Sequence, residues 1–255
     1  MDSIIARVDA WLIALAFAVA MLACWSLGWR RGRHFSAESG EDPGTKFIDG
    51  SVAILGLLLA FTFAMSLGRH DHRRLTVVDE SNAIGDFYTC ASLLKEPYRS
   101  RLQTVIRDYT QNLLDTSQEP LLEVKEKETI KRWLAIYDRM TEIVNEAIAA
   151  GTPIAVPLTN TLNDVTSSSG SRLAAYRERL PWSIVLLLFL SSIAPSFLIG
   201  EKQGASHKVH LLGSFSFIVL VALVIFVTFD LNQPHRGLIR VSQDSLEVVT
   251  HSMAK

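Results

Sequence analysis

Four long uncharged runs constrain this chain more than any other feature: Ala10–Trp29, Gly50–Gly68, Leu180–Gly200 and Leu211–Phe229. Each is about 20 residues, enough for a helix to cross a hydrocarbon layer of roughly 30 Å. Backbone amides in lipid must be satisfied within their own segment, so helices are the expected form. The expected fold class is therefore an all-α membrane protein with four transmembrane helices, arranged in sequence as two hairpins around a polar stretch.

The expected organisation follows from where the charges lie. Residues 8–68 form a first hairpin with spans at about 10–29 and 47–68, and residues 69–180 a helical domain outside the membrane. Residues 181–230 form a second hairpin with spans at about 181–200 and 209–229, followed by a polar tail over 231–255. The first run is longer than a signal-peptide core of about 7–15 residues, and its N-terminal flank, Asp2, Arg7 and Asp9, carries no positive excess. It is expected to be kept as a span, with Trp11 at one interface and Trp25 and Trp29 at the other. No proline interrupts Phe47–Cys90. The second span is therefore expected to pass Gly68 without a break and reach about Leu94. Pro97 suits a helix start. Tyr98, Leu102, Val105, Tyr109 and Leu113 recur at helical spacing, as do Ile130, Trp133, Leu134, Tyr137, Met140, Val144 and Ile148. Thr116–Pro120 reads as a turn and Gly151 as a helix C-cap. A helix over Leu158–Leu180 is expected to fray at Ser167-Ser168-Ser169-Gly170, and Gly200–Lys208 reads as a hairpin loop.

A net charge of −1 gives no nucleic-acid signature. The two cysteines, Cys24 and Cys90, make no disulfide framework. His70 and His72 point to different helix faces beside Arg69, Arg73 and Arg74, which suits lipid headgroups better than a metal. His207 and His210 alone make no zinc site. Asp79 and Glu80 beside Asn82 read as a solvated or salt-bridged helix face, because no calcium-loop spacing accompanies them. No phosphate loop, nucleophile elbow or zincin motif is present. No cofactor, metal or enzymatic activity is expected. Basic residues near the membrane are more numerous on the side of the termini and the central domain than on the opposite side, which favours a cytoplasmic location for both, although the short first loop carries Arg30, Arg31 and Arg33.

On a straight helix, Ile54, Leu58, Phe61 and Met65 share one stripe with His72, Thr76, Asp79 and Asp86. One stripe is thus apolar at membrane depth and polar beyond it, as a pore needs if it narrows at an apolar neck and opens into a charged vestibule. The same stripe also fits a helix facing lipid and then water. A second stripe, Gly56, Ala60, Ala64 and Gly68, has the small-residue spacing of close helix packing and implies a tight neighbour, in this chain or in a sister subunit. Asp49 at the start of the span suits N-terminal capping or an ion path.

The runs GLLLAFTFAMSLGRHDHRRLTVVDESNAIGDFY from Gly56, EPYRSRL from Glu96, LPWSIVLLL from Leu180 and LNQPHRGLIRVSQDSL from Leu231 resemble the bestrophin-like bacterial membrane proteins, a family with a domain of unknown function. The likeness covers nearly the whole chain. His235 departs from the pattern of the tail, and the SSSG stretch from its charged helix. Bestrophins are pentameric ion channels whose second helix lines an apolar neck and whose termini and helical domain are cytosolic. The resemblance therefore implies a homo-oligomer in a bacterial inner membrane, in contact with lipids, with Ile54, Leu58, Phe61 and Met65 in the neck role. No calcium-clasp acids match, so calcium gating is not implied. The expected function is a passive ion pathway. The alternative is a non-conducting membrane scaffold or sensor whose helical domain binds a partner.

Overall fold

The computed structural model describes residues 8–34, 43–117, 123–206, 210–233 and 237–254. The described residues form eight helices: α1 (Ala10–Gly32), α2 (Pro43–Ser92), α3 (Tyr98–Ser117), α4 (Glu123–Ala149), α5 (Ala155–Arg177), α6 (Trp182–Ala205), α7 (Leu211–Leu231) and α8 (Asp244–Met253). Four helical stretches are long and apolar enough to cross a membrane: Ala10–Gly32, Lys46–Ser92, Ala155–Ala205 and Leu211–Leu231. The chain divides into two compact units. A membrane unit takes the described residues of Met1–Arg69 and Arg179–Ile239, and a polar-surfaced unit those of His70–Glu178 and Arg240–Lys255.

In the membrane unit α1 packs on α6 and α7. The buried stripe Ala10, Ala14, Phe17 and Met21 of α1 meets Leu55 and Leu59 of α2, Val185 and Leu188 of α6, and Ile218, Val221, Ile225 and Phe229 of α7. Phe17 and Phe189 meet edge to face at 5.3 Å. In lipid the apolar surface gains little from mutual burial, so close backbone approach must hold the helices together. Two glycine pairs provide it. Cβ atoms built on Gly28 and Gly32 would stand 2.1 and 2.0 Å from the carbonyl oxygens of Phe197 and Glu201. On the facing helix, Cβ atoms at Gly200 and Gly204 would stand 2.1 and 2.2 Å from those of Trp25 and Trp29. The contact is thus reciprocal, and it excludes every side chain at four positions. Arg31 and Glu201 add an exposed ion pair at 3.2 Å, worth about 0–1 kcal/mol. The expected loop Gly200–Lys208 is shorter in the structure, because Gly200 and Gly204 belong to α6 and need its helical phase to reach α1. His207 lies outside the described residues.

The α7 end is fixed by Asp230, which is buried and accepts the backbone N–H groups of Leu238 and Ile239, both at 2.9 Å. A Cβ at Gly237 would come within 2.9 Å of that carboxylate, so glycine is required where the chain turns back. The segment expected as a plain polar tail therefore holds a tied turn and then the amphipathic α8.

The second unit is a helical body. Leu102, Val105, Tyr109 and Leu113 of α3 are buried as the periodicity predicts, with Trp133, Met140 and Val144 of α4 and Leu158, Leu162 and Val165 of α5. Leu134 is exposed, not buried; Ile136 and Ile143 take the place it was expected to fill. Gly151 has φ 79° and closes α4: its N–H donates to Ile148 O at 2.9 Å and that of Thr152 to Ala147 O at 3.3 Å, the paired bonds of a Schellman cap. Contrary to expectation, α5 runs unbroken through Ser167–Gly170. Ser168 bonds back to Val165 O and Ser169 is buried, so packing overrides poor propensity. α8 docks on α3, where Arg107 Nε donates to Met253 O at 3.0 Å, with Tyr88 Oη donating to the same oxygen at 3.2 Å. The expected turn at Thr116–Pro120 falls largely outside the described residues.

Candidate functional site

α2 carries the candidate site. It is a single 50-residue helix through Gly68. At about 100° per residue most of its buried positions form one face, Leu55, Leu59, Thr62, Ser66, Arg73, Val77, Glu80, Ile84, Phe87 and Ala91, while Ser81, Ala83 and Cys90 are buried to either side of it. The opposite sector is open. Ile54 and Phe61 are 59% and 63% exposed, and Met65 is exposed with them. Leu58 is half-buried, and it packs against the membrane-unit core. Beyond Gly68, His72, Asp79 and Asp86 are exposed. Thr76 corrects the expected vestibule: it is buried, and its hydroxyl donates to Arg73 O at 2.8 Å. The reason is phase. Leu58 and Thr76 both sit about 40° from Ile54 towards the buried face, the farthest of the expected residues in that direction.

The small-residue stripe Gly56, Ala60, Ala64 and Gly68 is exposed along its length. A Cβ at Gly56 or Gly68 would meet nothing within 4 Å. Among the described residues, no helix of the same subunit supplies the tight neighbour expected at Gly56 and Gly68. Asp49 stands exposed beyond the first turn of α2, which opens at Pro43, so the expected N-terminal cap is not formed.

Arg73 was read from sequence as a headgroup contact and Glu80 as part of a solvated or salt-bridged face; both are buried, and Glu80 is salt-bridged. Arg73, expected at lipid headgroups, donates from Nε to Ala175 O at 3.1 Å and from Nη2 to Glu178 O at 2.7 Å. It caps the C-terminal carbonyls of α5, where a cation is favoured. Glu80 is fully buried. Its Oε2 lies 2.6 Å from Arg172 Nε of α5, and its Oε1 accepts the Tyr109 hydroxyl of α3 at 2.5 Å. The Tyr137 hydroxyl of α4 reaches Tyr109 at 2.6 Å, and the Arg172 guanidinium lies over the Trp133 ring at 5.6 Å. Burial pushes the Glu80 carboxyl above its ordinary range, while Arg172, Tyr109 and Ser169 pull it back. Burial also raises Tyr109 well above the usual phenol value, with the Glu80 charge acting in the same direction. The network joins four helices around a buried charge pair, Glu80 and Arg172, and so fixes α2 in the body. Its sequence signal was the helical phase of Arg73, Val77, Glu80 and Ile84.

The profile of the bestrophin-like domain matches residues 14–246, nearly the full chain. The chain belongs to the bestrophin-like family. No curated protein and no solved structure is significantly similar to it. The family assignment and the four apolar helices together make it an all-α membrane protein. The open sector of α2 lies within the matched residues, as does the Asp230 turn.

Proposed function

We propose that this bestrophin-like protein assembles as a homo-oligomer and forms a passive ion pathway, with the open stripe of α2 lining an apolar neck. The observation that carries the reading is the pair of unfilled α2 surfaces. Ile54, Phe61 and Met65 are exposed among the described residues, and beside them Gly56, Ala60, Ala64 and Gly68 form an exposed stripe of small residues with open space over both glycines. Lipid would cover the first surface without needing the second. A sister helix approaching along the glycines accounts for both, and turns the apolar stripe to the axis. Narrow apolar rings gate by dewetting, and Asp79 and Asp86 beyond the spans would raise the local cation concentration. In this reading the neck comprises Ile54, Phe61 and Met65 with Leu58 at its edge, and both termini and the helical unit lie in the cytoplasm of a bacterial inner-membrane protein.

The test is cross-linking in the bilayer. Phe61→Cys in a chain lacking Cys24 and Cys90 should give disulfide-linked or bismaleimide-linked dimers in oxidised membranes, whereas Leu220→Cys, exposed on α7, should not. Exclusively monomeric Phe61→Cys would remove the shared axis and leave the scaffold alternative.

A further inference from the structure

The membrane unit contains a crevice between α1 and α7 with a volume of about 380 Å³, lined by Leu22, Trp25, Leu212, Ser214, Phe215 and Ile218. This is within the roughly 300–1,000 Å³ of ordinary ligand sites. Its walls are apolar, and two of the lining residues, Trp25 and Ser214, belong to a polar set completed by Gln203 of α6. Trp25 Nε1 donates to Gln203 Oε1 at 3.3 Å, and Gln203 Nε2 donates to Ser214 Oγ at 2.8 Å. Ser214 is thereby an acceptor, and its own proton has no acceptor among the described residues. A hydroxyl proton left unpaired in an apolar setting is costly. The acceptor a bilayer supplies at that depth is an acyl ester carbonyl.

A cation stands nearer the loop on the same face of α1. Leu22, Trp25, Trp29 and Arg33 recur at three or four residues, and the Arg33 guanidinium lies over the Trp29 ring at 4.9 Å. Trp29 is one turn, about 6 Å, beyond Trp25. Arg30 is exposed in the same turn. An apolar slot, an ester-level hydroxyl and a phosphate-level guanidinium thus follow each other in the order of a phospholipid's own groups. We propose that this crevice holds one acyl chain of an anionic phospholipid, with an ester carbonyl on the Ser214 hydroxyl and the headgroup phosphate at Arg33. The stacked guanidinium is held in place by the indole and is suited to a phosphate oxygen pair. The proposal is independent of ion conduction and requires only that the α1 and α7 ends meet a bilayer surface.

The test is native mass spectrometry of the full chain, released from phosphatidylcholine nanodiscs and titrated with phosphatidylglycerol or with more phosphatidylcholine. The parent should retain one phosphatidylglycerol in preference to phosphatidylcholine. Arg33→Gln, at an exposed residue, should weaken the phosphatidylglycerol adduct about fivefold and leave phosphatidylcholine unchanged, the effect of one basic residue at an anionic surface. Leu212→Trp, also at an exposed position, should fill the slot and remove the adduct. Glycerol phosphate, which has the head without the chain, should not compete. Equal retention of the two lipids, an adduct indifferent to Arg33→Gln or Leu212→Trp, or displacement by glycerol phosphate would each overturn the proposal.

Discussion

Replacing Glu80 by leucine should destabilise the helical unit by about 3–5 kcal/mol, the range for removing one partner of a buried ion pair. The structure explains why the figure is large. Arg172 is buried, its Nε has the Glu80 carboxylate at 2.6 Å, and the substitution leaves its charge over the face of Trp133 without that carboxylate. Tyr109 would lose its acceptor and keep Tyr137. A total stability of about 5–15 kcal/mol leaves little margin for such a loss. Replacing both partners, as Glu80→Leu with Arg172→Met, removes the stranded charge and should return stability to the parent's level or exceed it by about 1–4 kcal/mol. The pH dependence gives a second reading. Burial raises the Glu80 carboxyl in the folded state, so the proton binds the folded form more tightly. That contribution is complete below the unfolded glutamate value and is lost as pH rises through the raised folded value. The parent should therefore lose stability relative to Glu80→Gln as pH climbs above the ordinary glutamate range. Trp133 is the one tryptophan of five in the stretch 70–178, so denaturant unfolding followed by its fluorescence, with the other four changed to phenylalanine, reports on this unit. A cost below about 1 kcal/mol for Glu80→Leu, or a double variant as unstable as the single one, would refute the buried-pair reasoning.

The glycines of the membrane unit divide into two groups with opposite expected behaviour. Gly28→Ala or Gly200→Ala drives a Cβ into a facing carbonyl and should lower monomer thermal stability in detergent, by about 1–3 kcal/mol or more. Gly56→Leu meets open space within the subunit and should spare monomer stability while reducing the oligomer fraction in cross-linked membranes. Gly68→Pro interrupts α2 in mid-helix and should cost about 3 kcal/mol or more, visible as loss of folded protein on extraction.

The spans were legible because lipid imposes a length and a chemistry on every residue of a run, and α2 because nothing between Phe47 and Cys90 breaks a helix. What escaped was partnership. Gly28-Trp29-Arg30-Arg31-Gly32 and Gly200-Glu201-Lys202-Gln203-Gly204 have the same four-residue spacing, yet the charges between the glycines made each stretch read as the end of a span running into a loop. The stripe read as the packing motif, Gly56–Gly68, is exposed among the described residues. Glu80 beside Asp79 read as a solvated or salt-bridged face, and the ion pair is formed, but its burial was not legible, since neighbouring residues on a helix face different ways and only phase separates them. Arg172, Tyr109 and Tyr137 are far from Glu80 in sequence, and no local pattern announces that they converge. The open sector of α2 was readable as a stripe, but which of its members turn inward, Leu58 and Thr76, depended on where the buried face was centred.

The central claim is conduction along the α2 stripe, and ion flux into liposomes holding the purified protein tests it most directly. Parent protein should pass small ions. Phe61→Ser should raise the rate by about tenfold, equivalent to a barrier lower by about 1.4 kcal/mol once a hydroxyl helps wet the neck. Asp79→Asn with Asp86→Asn should reduce any cation preference, most clearly at low salt. Liposomes in which neither the parent nor Phe61→Ser passes any small ion would contradict the account.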